Sequence, residues 1–191
     1  MLTGRQQEII NAAMTIIVEQ GTHKLTIRNV ATSIGVTEPA VYRHFSSKHA
    51  LLVALLENLQ LSILSVFTQI PSEQQSLIES IESLLFALFH RIEANPAFAL
   101  FVFTEEAFHA DEQLRPILSS MLEDMVQRLS HLIEQSQKQG NCRDDISAKE
   151  IAHLFLGIIR LRITQWHLRP QDPLPNQAPA LAEVLSRLLS P

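Results

Sequence analysis

Apolar residues return every three or four positions along nearly the whole chain, the spacing of helices that bury one side. Ile9, Ala12, Ala13, Ile16 and Ile17 make a first stripe within residues 3–20, and Gly21 closes it. Behind Thr26, a favoured N-cap residue, Ile27, Val30, Ala31 and Ile34 recur at helical spacing. Gly35 then supplies the backbone freedom that ends a helix sharply. Thr37 is expected to cap a second short helix with Ala40, Val41 and Phe45 inward. Thr-x-x-Ala lacks the acidic partner of a capping box, so Thr37 has to cap alone. One long helix follows over 47–69, with Leu51, Leu52, Leu55, Leu56, Leu59, Ile63 and Phe67 spaced for burial.

The pattern stays helical after the break at Pro71 and Ser72. A fifth helix over 72–94 turns Leu77, Ile81, Leu84, Leu85, Leu88 and Phe89 inward. Asn95-Pro96 opens a shorter one, PAFALFVFTEEAF, in which Phe98, Phe101, Val102, Phe103 and Phe108 cover more than one stripe. A helix apolar on nearly every side is expected between others. Residues 111–139, with Pro116 in the early turns and Gly140 at the end, form the next. Asp144, Asp145 and Ser147 introduce a helix to about residue 167 whose apolar side is Ile151, Leu154, Phe155, Ile158, Ile159 and Trp166. A proline-rich turn over 170–179 leads to a last helix, 180–190, presenting Leu181, Val184, Leu185, Leu188 and Leu189. No stretch alternates with period two. The fold class is therefore all-α, about nine helices, with a boundary near 48–55 dividing residues 1–50 from 51–191. The long helix crosses that boundary without a flexible linker, so tilting it moves the short helix before it.

At 191 residues, 46% hydrophobic and 18% charged, the chain can bury a proper core. No uninterrupted apolar run reaches the roughly 18 residues of a membrane span, and no signal-peptide core opens the sequence. Cys142 is the only cysteine. That excludes an intramolecular disulfide and a zinc framework, and a reducing cytoplasm is the simplest location. No Gly-rich phosphate loop, nucleophile elbow or His-Glu-x-x-His pair is present, so neither catalysis nor a cofactor is expected. The net charge of −5 is unevenly spread: residues 1–50 balance at +2 and the remainder at −7. The basic share falls where the two short helices lie.

Helix, Gly-containing turn, short helix is the sequence form of a helix-turn-helix. Its outward residues, Arg28, Thr37, Glu38, Tyr42, Arg43, His44 and Lys48, have side chains that reach phosphates and base edges. The stretch LTIRNVATSIGVTEPAVYRHFSSKHALL resembles the DNA-binding domain of the TetR family of transcriptional regulators, over residues 1–55. The Gly-Val-Thr break, the Val-Tyr-x-His-Phe core and the following Ser-Lys carry that likeness. It implies that Thr26, Tyr42, His44 and Lys48 contact phosphates, and that Arg28, Thr37, Glu38 and Pro39 face base edges. Two positions depart from the family pattern. Glu38 is acidic where the helix meets DNA, and His49 stands where an acidic residue commonly follows the Lys.

Taken singly, some of these residues keep two readings. Arg43 suits a guanine or a phosphate. Glu38 suits a cytosine amino group or a solvated place in the first helical turn. Pro39 fits the first turn, where its missing N–H is harmless, and its ring suits a thymine methyl. Lys48 opens a helix whose N-terminal amides would add to its charge in holding a phosphate. Arg5 is either a phosphate contact or a solvated terminal side chain.

A helix-turn-helix of charge +2 reads one half-site, and specificity normally comes from pairing two. Double-stranded DNA with a palindromic operator and a second copy of the chain are the expected partners. The expected homodimer interface uses Ile151, Leu154, Phe155, Ile158, Arg162, Trp166, Leu181, Val184, Leu185 and Leu188, packed as a four-helix bundle. The TetR resemblance implies the same arrangement. A small, apolar effector is expected among Phe67, Phe86, Phe89, Phe98, Phe101, Phe108, Met121, Met125 and Phe155, although ordinary core packing explains any one of them. His90, Glu105, Glu106 and His109 are polar candidates on its border, and Glu105 with His109 alone makes no metal site. The function expected is a repressor released from its operator by that effector. A DNA-binding protein of the same fold with a nucleoid or cell-division role and no effector is the alternative, and a helical enzyme a weaker one.

Overall fold

The computed structural model describes residues 2–68, 76–95 and 112–191. Eight α-helices lie among the described residues: α1 Gly4–Gln20, α2 Ile27–Ser33, α3 Glu38–Tyr42, α4 Lys48–Phe67, α5 Leu77–Ala94, α6 Leu114–Lys138, α7 Ala148–Leu168 and α8 Ala178–Leu189. Two single 3-10 turns, Thr22–Lys24 and Leu174–Gln177, precede α2 and α8. The described residues contain no strand. The apolar helix expected over 96–108 lies outside them.

By contacts the chain divides into two compact units, one running through Gln60 and resuming for a stretch that ends at Ser119, the other comprising Leu61–Asn95 and Ser120–Pro191. In the first unit α1 packs on α2 and α2 on α3. Thr3 caps α1 in a capping box with Gln6. The buried stripe of α1 is wider than the spacing suggested, because Ile10 and Met14 are buried while Ala12 is only half covered. Arg5 is held by Glu8 at 2.7 Å on the surface of α1.

Thr26 caps α2 as expected, its hydroxyl accepting from the Asn29 amide at 3.0 Å. The helix ends in a Schellman turn: Val36 N–H donates to the Ala31 carbonyl at 2.9 Å and Gly35 N–H to that of Thr32 at 3.2 Å. That turn needs a left-handed residue, and Gly35 has φ 68°. Val41 and Phe45 are buried as expected, whereas Thr37 occupies the N-cap of α3 without its side chain capping anything.

α4 begins on Ser47, whose hydroxyl accepts from the Ala50 amide at 3.0 Å. Leu51, Leu55, Leu56, Leu59, Ile63 and Val66 form its buried stripe, while Leu52 and Phe67 are half-buried. By length and composition this helix is apolar enough to cross a membrane, with a mean hydropathy of 1.9 over its best 18-residue window. That corrects the expectation from uninterrupted runs: Glu57, Asn58 and Gln60 interrupt the letters without lowering the average enough. A core helix meets the same criterion, and the α4 stripe is used in packing.

In the second unit α8 and the turn before it lie along α5. Ser76 and Glu79 cap α5 as a reciprocal box. α5 buries Leu77, Ile81, Leu84, Leu85, Leu88, Phe89 and Ile92. Its Glu93 carboxylate accepts from the Leu174 amide at 3.2 Å, which fixes the turn that launches α8. Arg91 donates to the Ser62 carbonyl at 2.6 Å and the Ser65 hydroxyl at 2.8 Å. The α6–α7 connection is pinned from within. Gln137 donates to the carbonyls of Arg143 (2.8 Å) and Ile146 (2.9 Å), and Gly140, at φ 72°, completes a second Schellman turn. Ser147 alone caps α7; Asp144 and Asp145 lie in the loop before it.

Candidate nucleic-acid interface

α3 is short, so its exposed side is set by the side it buries. Val41 is wholly enclosed and Phe45 nearly so, which turns the residues between and before them outward. Thr26, Arg28, Thr37, Glu38, Pro39, Tyr42, Arg43, His44 and Lys48 are all exposed. Tyr42, at 48% exposure, is among the more exposed large side chains of the protein. Its ring lies outside the core although Val41 beside it is inside.

Three cations, Arg28, Arg43 and Lys48, stand against the single carboxylate Glu38 in this set. Glu38 is the first residue of α3, where a carboxylate is favoured by the helix dipole. Pro39 follows it in the first turn and costs no helical hydrogen bond. Lys48 is the first residue of α4, one position past the Ser47 cap. The Thr37 hydroxyl is the feature that spacing misjudged: it makes no capping bond, so both its donor and its acceptor capacity face outward.

The expected effector residues separate into groups. Phe67, Met125 and Phe155 line an apolar cavity together with Ile63, Val66, Leu84, Leu88, Leu156 and Ile159. The cavity measures about 10 Å³, room for one water at most. Phe89 and Met121 are buried in the core without lining it. Phe86 does not belong to it. It is 54% exposed on the solvent side of α5, where its ring stacks on His90 at 6.2 Å between centroids. Phe98, Phe101, Phe108, Glu105, Glu106 and His109 lie outside the described residues. Among those described, no group of His, Cys, Asp and Glu is arranged to hold a metal ion.

The expected dimer residues also split. Ile151, Phe155, Leu181 and Leu185 are buried within their own chain and are not available to a partner. Periodicity alone merged two sides of the same helices. Leu154, Val184 and Leu188 are exposed at 64%, 53% and 56%, Arg162 is exposed, and Ile158 and Trp166 are half-buried. The spacing also passed over Leu161 and Leu168, exposed at 58% and 76% and one heptad apart from Leu154 and from each other. A seven-residue step on α7 was the available signal.

Comparison with known proteins agrees with this layout. Residues 9–55 match the model for bacterial regulatory proteins of the tetR family, and residues 78–169 match a tetracyclin repressor-like C-terminal domain. The two matches together span well over half of the chain. The nucleoid occlusion factor SlmA of a Marinomonas species is 23% identical over 186 residues, covering 95% of this chain and 94% of the relative. The fold is shared with the fatty acid degradation regulator FadR from Bacillus halodurans, at a TM-score of 0.84 and 20% identity, covering 97% of this chain and 96% of that one. It is shared too with FadR from Bacillus subtilis in complex with stearoyl-CoA, at a TM-score of 0.80 and 20% identity, covering 94% and 97%. With a helix-turn-helix at its start and an all-helical remainder, the chain belongs to the TetR family of DNA-binding transcriptional regulators.

Proposed function

We propose that the protein is a cytoplasmic, homodimeric repressor that releases a palindromic operator when a small apolar effector binds. Residues 1–50 serve as its DNA-binding part and 51–191 as its effector-binding and dimerisation part. The observation that carries the DNA half is the outward placement of all nine contact candidates on helices whose other sides are buried. Thr26, Tyr42, His44 and Lys48 hold phosphates. Arg28, Thr37, Glu38 and Pro39 meet base edges, and Arg43 takes either place. Leu154, Leu161, Val184 and Leu188 supply the apolar centre of the dimer contact, with Ile158, Arg162 and Trp166 around it.

The effector site is the cavity beside Phe67, Met125 and Phe155, enlarged in the liganded state. A ligand that binds only the enlarged state shifts the population toward it, and release of DNA follows if that state holds the recognition helices at the wrong separation. A relative solved with stearoyl-CoA supports an acyl chain as the class to try first.

The test is fluorescence anisotropy of the purified protein on the DNA flanking its own gene, across a salt series and with acyl-CoAs added. Affinity that falls steeply with salt and is lost on acyl-CoA addition supports the reading. Salt-independent binding overturns it. One observation favours a second reading: the cavity is nearly filled, and several relatives are nucleoid occlusion factors. DNA binding indifferent to every acyl chain, with no shift in melting temperature, selects this effector-free role.

A further inference from the structure

Five glycines occur in the chain, and four have a local reason to be glycine or sit where nothing is lost. Gly21, Gly35 and Gly140 have positive φ, and Gly4 is the first residue of α1. Gly157 has neither excuse. It is within α7, well away from both ends, where glycine forfeits backbone entropy relative to alanine. A Cβ built there meets nothing within 4 Å, and the position is exposed. Nothing inside the chain requires the side chain to be missing.

Its surroundings point to something outside the chain. Leu154 lies three residues before and Leu161 four residues after, on the same side of the helix, and both are more than half exposed. The helix therefore presents two large apolar side chains with a notch between them. Ridges of that kind receive a crossing helix whose axis approaches closely only where the side chains are small.

We propose that Gly157 marks the closest approach of α7 to α7 of a second copy of the chain, and so sets the crossing that holds the dimer. This rests on the dimer reading given above. A second copy is the occupant because the contact is then isologous: a residue on the two-fold axis meets itself. One small residue relieves both sides of such a crossing at once, and only one small exposed residue stands between the two leucines. The notch also continues the apolar surface already assigned to dimerisation through Leu154.

Sedimentation equilibrium on the wild type, Gly157→Ala and Gly157→Leu, with helix content followed by circular dichroism, tests the assignment. Alanine is expected to weaken the dimer by about tenfold and leucine to abolish it at micromolar protein. In the dilute range where every form is monomeric, alanine should raise the thermal midpoint, because it fills open space and stiffens the helix. A purely structural glycine would shift both readouts in the same direction. If the wild type dimerises and the Gly157→Leu protein, equally helical, dimerises as tightly, Gly157 lies off the contact and the inference falls while the dimer stands. If the wild type remains monomeric at all concentrations, the dimer reading falls and takes the inference with it.

Discussion

Val41 and Tyr42 are neighbours in α3 and face opposite media: the valine is wholly enclosed and the tyrosine is 48% exposed. One substitution at each position separates folding from binding. Val41→Ala leaves a gap in a closed core and should cost about 2 kcal/mol of stability, read as a denaturation midpoint. Tyr42→Ala should leave stability within about 0.5 kcal/mol and weaken operator binding by about five- to tenfold in anisotropy. Equal loss of stability in both variants would place Tyr42 in the core in solution.

Lys48 and Thr26 are both assigned to phosphates, but only one carries charge. Lys48→Ala should lower the slope of log affinity against log salt by about 1 and weaken all DNA sequences alike. Thr26→Ala should leave the slope unchanged. An unaltered slope in Lys48→Ala means the ammonium does not displace a counterion.

The two threonine caps make a contrast within one motif. Thr26 accepts from the Asn29 amide, so Thr26→Ala should cost about 1 kcal/mol in chemical denaturation. Thr37 accepts nothing from α3, so Thr37→Ala should be neutral to within a few tenths of a kcal/mol. Its effect should appear in DNA affinity instead.

Enlarging the cavity tests the effector reading directly. Leu88→Ala or Phe155→Ala removes part of its wall and should destabilise by about 2–5 kcal/mol. A small apolar compound should restore part of that loss as a rise in melting temperature, by mass action. No rise with any apolar probe would mean that the core collapses on the space.

Acid should loosen the α6–α7 connection. Its bond to the Arg143 guanidinium holds the Asp145 carboxyl below the usual carboxylate range. A lowered folded value contributes stability above the ordinary carboxylate range, and this is lost as pH falls through the folded value. Both groups are at the surface, so the effect is small. Below about pH 4 the wild type should lose stability slightly faster than Asp145→Asn, in parallel unfolding curves.

The two helices around Gly35 were legible because their rules are local. Thr26, Gly35, Val41 and Phe45 each do what spacing and backbone preference require, and the exposed set follows from the buried one. Thr37 was not legible, because whether a hydroxyl bonds its own helix depends on a rotamer that letters do not encode. Phe86 looked like core because aromatic residues usually are, yet its place opposite Leu85 and Phe89 on α5 puts it in solvent. On α7, Phe155 and Leu154 share one apolar run but face opposite directions. Periodicity counts apolar positions without saying which neighbour each one meets.

Helix ends ordinarily unravel first, since their last carbonyls lack partners. In α8 the Leu189 carbonyl accepts from the Arg143 amide at 2.9 Å, and that of Leu188 from the same residue's guanidinium at 3.4 Å. The closing turn of α8 is thus stitched to a loop some forty-five positions earlier in the chain. Exchange of hydrogen for deuterium in that turn should keep pace with the loop, because the two can only come loose as one piece.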